Sequence, residues 1–464
     1  MASALTPAQR ASGIVALGAV LALLLGGAAG AAANGAADAA GTTVTAGAPA
    51  MAPHALEAGS VELFAPDGTI SRVEARLPVG TPMTAAELEA ADEGVSALQV
   101  AGPSENRYDL VFVGDGYTAA ELDLYHEHVA DKWRTIVETE PFTTYAQFFN
   151  VWVVDVVSNE SGVDNDPTPP TDRDTALDMY FWCSGVERGL CVDETKARQM
   201  ADLAPEADQI VALANATKYG GIGGTVATSS GGNAAAGLIT VHELGHSLGG
   251  LADEYDYYLR AGLEEDAAED VTFPVPFTYY PGAVLGEPGG VNITAEPDAE
   301  QMVADELKWW RWVGDESPDG GTVGTYEGGG YYRYGMYRPT QDSLMHTLGT
   351  PEDPNPFNLP SLEQMTRRFY GVVRPIDAVH PAGGALASGD VAAVDVVAPS
   401  GHALDVRWFV DGVEVTTARG ALSFTVDEAA AAGSELTVRV TDPTDFVRDP
   451  AAAELLTQEA SWSL

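Results

Sequence analysis

One stretch limits the fold more than any other: TVHELGHSLGGLADEY, from Thr240 to Tyr255. His242 and His246 stand four apart, and a helix of 3.6 residues per turn puts both imidazoles on one face, close enough to share an ion. Two imidazoles at this spacing suit Zn2+. Glu243 follows the first His, where it can hold and deprotonate a water and pass the proton to a leaving amine. The chemistry needs a metal because water at neutral pH is a poor nucleophile until its pKa is lowered. Catalytic zinc ordinarily keeps three protein ligands, so the pair leaves one to be found. Gly249 and Gly250 can turn the chain back after the helix; Asp253 is then the candidate, with Glu254 as its rival. A histidine pair that serves only packing is the alternative.

The remaining composition narrows the partners. The 464 residues exceed one compact core and predict two or three folded units. With 23 Lys and Arg against 68 Asp and Glu, a net charge of −45, the chain repels phosphate backbones and anionic lipid, so no nucleic-acid partner is expected. Arg10 precedes an apolar run from Gly13 to about Ala28, followed by small residues. Residues 1–35 therefore read as a signal peptide, an uncleaved anchor being the alternative. No second long apolar stretch follows, so the mature form is expected to be extracellular and off the membrane. Cys183 and Cys191, eight apart, are expected to form a disulfide in an exported chain; a two-Cys metal site is the weaker alternative.

Along the chain, residues 36–55 are an Ala, Gly and Thr linker, and 56–104 form a small β-rich segment. Within the latter, alternating runs from Val61 to Leu77 flank Pro66-Asp67-Gly68 and predict a hairpin. A catalytic domain is expected over 105–375. It opens with a strand from Tyr108 into Gly114-Asp115-Gly116, then a capping box of Thr118 and Glu121 at a helix start. The runs Phe148–Val157 and Gln209–Asn215 alternate with helical stretches, an α/β pattern. Residues 376–464 predict an immunoglobulin-like β-sandwich: Leu404, Val406, Trp408 and Val410 alternate, Asp411-Gly412 turns into Val413–Thr417, and Leu422–Val426 and Leu436–Thr441 follow.

Several lesser features bear on the site. GGIGGTVATSSGG, Gly220–Gly232, lacks the Lys-Ser/Thr ending of a phosphate loop and fits a strand edge to which a peptide substrate adds. Asp164, Asn165 and Asp166 lack the spacing of a calcium loop and read as a solvated turn. Met345, about a hundred residues beyond the helix, is a candidate apolar floor beneath the metal, or plain core. His346 beside it is given no role.

Five ordered blocks carry a family resemblance: YDLVFVGDGYTAAEL, PFTTYAQFFNVWVVDVVSNESG, IVALANATKYGGIGG, VHELGHSLGGLADEYDY and GMYRPTQDSLM. From about Arg107 to Tyr370 the chain resembles the IgA-peptidase family of bacterial zinc metallopeptidases, metallopeptidase family sixty-four, within the metzincin-like group. The resemblance implies an α/β (α+β) zincin/metzincin-like catalytic domain, ahead of the C-terminal immunoglobulin-like β-sandwich. It implies one catalytic Zn2+ on His242, His246 and Asp253, Glu243 as the catalytic residue, and Met345 as the Met-turn methionine. Two departures stand out: metzincins place the third ligand six residues after the second His, where this chain has Ala252, and Ser343 stands where many relatives carry Cys. The expected activity is that of a secreted zinc endopeptidase on protein or peptide substrates. Competing with it are an inactive peptidase scaffold serving as a surface-binding or adhesion protein and a zinc hydrolase of non-peptide amides, the first discriminated by Glu243, which a retired enzyme need not keep.

Overall fold

The structure, a computed structural model, describes residues 56–65, 67–78, 80–223, 225–256, 258–259, 279–427 and 433–464. The expected signal peptide and linker lie outside the described residues. An N-terminal hairpin pairs β1 (Leu56–Phe64) with β2 (Ile70–Pro78) in antiparallel register, Glu62 opposite Arg72. After it come α1 (Ala85–Ala91), β3 (Asp92–Gln99), β4 (Tyr108–Asp115), α2 (Leu122–Val137), β5 (Phe149–Val156) and α3 (Glu194–Ala201). Next are β6 (Gln209–Ala214), β7 (Gly221–Ile222), β8 (Val226–Ser230) and α4 (Ala236–Ser247).

The six strands β3 to β8 form one sheet in the order β3-β5-β4-β6-β8-β7. The inner four are parallel, and β3 and β7 run antiparallel at the two edges. Every residue of β4 is buried, as a central strand covered on both faces must be. Alternation then assigns the faces. Leu110 and Phe112 pack with Tyr125, Val129, Trp133 and Ile136 of α2 and with Leu238, Ile239, Val241 and Leu244 of α4. Val111 and Val113 face the other way, onto Ala197, Met200 and Ala201 of α3 and onto Val163, Leu177 and Met179. The result is a three-layer mixed α/β architecture, with α4 on one face.

Local signals in the sequence find physical counterparts. Thr118 and Glu121 form the capping box, and a Cβ on Gly116, at φ +73°, would lie 2.3 Å from Gly162 O, so the turn after β4 admits only glycine. Asp115 is wholly buried and accepts from the backbone N–H of Leu177 (2.9 Å) and Met179 (2.8 Å). It thereby pins the long excursion that carries the Cys183–Cys191 disulfide. Among the described residues no helix is long and apolar enough to cross a membrane.

Beyond the helix Leu359–Val372, two antiparallel sheets share one core. The first orders Ile376–His380, Val391–Val396 and Ser423–Thr425; the second orders Val413–Glu414, Asp405–Val410, Glu435–Thr441 and Thr457–Ser463. Trp408, Val438 and Trp462 from one sheet meet Ile376 and Val394 from the other. This region is tied to the preceding one by polar contacts buried at the junction. Arg107 donates to both carboxylate oxygens of Asp377, at 2.8 and 2.7 Å. Asp442, fully buried, accepts from Tyr145 Oη at 2.9 Å, from Tyr370 Oη at 2.6 Å and from His402 Nε2. Asp442→Ala would strand both hydroxyls in a dry site, and each buried donor left without a partner costs about 1–3 kcal/mol. Expected in thermal denaturation is a loss of about 2–4 kcal/mol, while Asp442→Asn, which keeps an acceptor, loses less.

Candidate metal centre

Helix α4 is buried nearly all round, from Ala236 to Gly245, and its sequence AGLITVHELGHS is accordingly apolar except for the motif. Small residues allow its close packing: a Cβ on Gly237 would press on Thr135 of α2, and one on Gly245 would lie 2.8 Å from Met345 Sδ. The helix ends at Ser247, and three residues on Gly250, at a φ of +65°, reverses the chain, its N donating to His246 O at 2.8 Å. The reversed segment returns alongside the last turn and presents Asp253.

Each imidazole is oriented by its far nitrogen. His242 Nδ1 donates to Leu344 O at 3.0 Å and His246 Nδ1 to Leu251 O at 2.8 Å. A carbonyl only accepts, so both Nδ1 atoms carry the proton and both Nε2 atoms turn inward, the orientation seen in metal-binding histidines. The two Nε2 atoms are 3.0 Å apart. Asp253 Oδ1 is 3.1 Å from His246 Nε2 and 3.4 Å from His242 Nε2, and Glu62 Oε2 lies 3.5 and 3.2 Å from the same atoms. Among the described residues these four side chains are the one group of three or more His, Cys, Asp or Glu whose ligand atoms converge, all within 4.8 Å, and it could hold a metal ion. Two atoms fit that use: Asp253 Oδ1 and Glu243 Oε1 are buried and have no hydrogen-bond partner. Buried polar atoms are rarely left so.

The electrostatics agree. Burial opposes a charged His246, yet Asp253 and Glu62 raise its pKa well above the ordinary value, and His242 is raised to about 9 against the same burial by the carboxylates of Asp253 and Glu62 beside it. Burial would raise Glu62, but His246 and His242 outweigh it and hold its carboxyl well below the usual range. A site that draws protons so strongly offers a cation the same negative field. Glu243 faces the opposite situation: burial, and then the Glu62 carboxylate, push it up to about 8. Its carboxylate abuts the Gly223 backbone just past β7, where a Cβ would lie 2.1 Å from Oε1. A cleft of about 420 Å3 opens here, lined in part by Glu243, His246, Gly223, Ala252 and Tyr331.

The rival acid has a different place. Glu254 is fully buried outside the cluster, accepting from Asn292 Nδ2 (2.8 Å), Ser343 Oγ (2.7 Å) and Asn358 Nδ2 (2.9 and 3.1 Å). Glu254 N donates to Met345 O at 2.8 Å. Glu254 thus fastens the segment that bears Asp253 to the segment that bears Leu344 and Met345. Ser343 supplies a hydroxyl donor to this node. Met345 is buried against Gly245 of α4. His346 instead pairs with Asp342 at 3.0 Å, away from the cluster.

Sequence reasoning missed four contributors: Glu62, Tyr331, Arg72 and Asn292. Glu62 comes from β1, 180 positions before His242. It sits on a strand whose alternation gives no hint that its face is buried against another element. Tyr331 Oη donates to Asp253 Oδ2 and Arg72 Nη1 to Tyr331 Oη, the latter at 2.8 Å. Asn292 brackets Ala252, accepting from its N–H and donating to its C=O at 2.8 Å each. None has a spacing signal relative to the motif.

Residues 96–276 match the family model described as IgA Peptidase M64. The match takes in the helix motif and Asp253 but stops short of Met345, and it begins after the hairpin that holds Glu62. No curated protein matches the chain.

Proposed function

Because this chain belongs, through residues 96–276, to the IgA Peptidase M64 family, we propose that it is a secreted zinc-dependent endopeptidase in which His242, His246 and Asp253 hold the metal and Glu243 is the general base. The observation that carries the reading is the triangle of donor atoms, with edges of 3.0, 3.1 and 3.4 Å. Zinc bonds of about 2.0–2.2 Å put tetrahedral neighbours about 3.3–3.6 Å apart, so one edge fits and the other two need to open by a few tenths of an ångström. Oxygen-rich calcium or magnesium sites use no imidazole pair.

Zn2+ bound there would act as a Lewis acid that lowers the pKa of water and polarises the scissile carbonyl. The chain's own groups supply the rest. Leu344 O and Leu251 O fix the imidazole tautomers. Tyr331 Oη donates to Asp253 Oδ2, leaving Oδ1 turned to the metal side. Glu243 Oε1, free of hydrogen bonds, would accept the proton of the attacking water and return it to the departing amine. The antiparallel edge β7, beside Glu243, would align an extended peptide by backbone hydrogen bonds. Met345 would serve as the apolar floor of a metzincin-like site.

The remaining divisions belong to the same reading: a signal peptide over 1–35, a linker over 36–55, a β-rich segment over 56–104, a zincin-like catalytic domain over 105–375 and an immunoglobulin-like sandwich over 376–464. The shared core of Trp408 and Trp462 between two antiparallel sheets supports the last. Intact Glu243, with three metal-binding side chains around it, weighs against a retired scaffold used for adhesion.

The test is metal analysis of the purified chain together with hydrolysis of unfolded casein. Stoichiometric zinc and cleavage that stops on chelation and returns with added zinc are expected. Protein that binds no metal, or cleavage that survives complete chelation, overturns the reading.

A further inference from the structure

We propose that Glu62 is a fourth ligand of the metal ion and that the N-terminal hairpin thereby holds the centre closed. The inference rests on the metallopeptidase reading above and deepens it from catalysis to control. Glu62 Oε2 joins the donor set at 3.2 and 3.5 Å from the two Nε2 atoms, two of the edges that a fourth tetrahedral vertex needs, and lies within 4.8 Å of the Asp253 oxygen. Its other oxygen is engaged: Tyr255 Oη donates to Oε1 at 2.9 Å and Arg72 Nη1 at 3.1 Å. These two donors aim Oε2 at the imidazoles.

The hairpin is built to deliver this carboxylate. Its register sets Arg72 opposite Glu62, so the strand pair carries its own countercharge into a site that already holds Asp253. The next two side chains anchor the strand. Leu63 packs with Ile222 of β7 and with the Cys183–Cys191 disulfide, and the Phe64 ring meets the His242 ring edge-on at 5.4 Å between centroids. The turn that follows docks through Gly68 O, which accepts from Leu348 N at 2.8 Å.

Position gives the arrangement its meaning. β1 runs beside β7 without pairing to it, so an extended segment with a carboxylate at the metal already lies where a peptide substrate and its scissile carbonyl would go. Zinc sites with four protein ligands are structural, whereas catalytic ones keep a position open. Glu62 is the difference between the two. The connection from β2 to α1 passes through exposed Thr81 and Pro82, so the hairpin can be released there without disturbing the six-stranded sheet.

The test uses the full chain with Co2+ in place of zinc, read by visible absorption with and without added acetate. In wild type the spectrum is expected to ignore acetate. In Glu62→Ala acetate enters the vacated position and shifts the bands, and Co2+ dissociation rises about tenfold or more. Glu62→Gln preserves volume and the contact with Tyr255, guards against misfolding, and is expected to weaken Co2+ in the same direction. Casein cleavage by Glu62→Ala is expected to be severalfold faster than by wild type. Identical spectra and affinities, or acetate shifting the wild-type bands as readily as the variant's, overturn the ligand assignment. Equal, measurable cleavage rates overturn the closure. If the spectra behave as expected while neither protein cleaves casein, the peptidase reading falls and the ligand assignment stands.

Discussion

Glu243→Gln is expected to keep its full complement of metal and its fold while losing casein hydrolysis by about 10²–10⁴-fold, the usual contribution of a positioned general base. The substitution is nearly isosteric. Glu243 is buried, and no donor satisfies Oε1, so no native hydrogen bond to that atom is lost. What disappears is the ability to take a proton at Oε1. His242→Ala should differ in kind: it removes a donor atom 3.0 Å from its partner and should lose metal and activity together. Zinc content measured beside initial rates separates the two. A Glu243→Gln protein that cleaves at wild-type rate would leave the base unassigned and remove the central role proposed for α4.

The second large effect concerns neighbouring acids. Glu254→Ala is expected to destabilise the protein by about 3–5 kcal/mol, because it leaves Asn292, Ser343 and Asn358 donors buried without an acceptor, at about 1–3 kcal/mol each. Asp253→Asn is expected to do the reverse, costing little stability and most of the metal affinity, since Oδ1 has no donor to lose. Denaturation midpoints and metal titration of both variants form a crossed comparison. If Glu254→Ala stays folded but loses metal and Asp253→Asn keeps it, the assignment of the third ligand is reversed.

The pair shows how adjacent side chains divide the labour. Consecutive residues on an extended segment point to opposite sides. Gly250 sets where that segment starts, so Asp253 faces the imidazoles and Glu254 faces the protein interior. A shift of one residue would exchange them.

Several parts of this molecule were already written in the order of its residues. The four-residue spacing of His242 and His246 demands a helix, and the helix is there. The apolar run of β4, the glycine turn after it and the Thr118–Glu121 capping box depend on contacts within a few positions, and local chemistry is enough to specify them. The same holds for Gly249-Gly250 as a helix exit, and for the alternation that builds the strand Asp405–Val410.

Other features depended on chain segments that only folding brings together. The preference between Asp253 and Glu254 turned on Asn292, Ser343 and Asn358, which come from three distant places in the chain. The strands Ile376–His380, Val391–Val396 and Thr457–Ser463 carry weaker patterns and are specified by their neighbours across the sheet. Glu62 is the clearest case. As a sequence position it is one of many acids in a chain of net charge −45. Nothing local distinguishes it, because its place depends on docking of β1 beside β7 and on a contact with His242, 180 positions away. The helix motif determined where a metal could bind; tertiary packing decided which carboxylates reach it, because ligand geometry is a property of space and only incidentally of chain order.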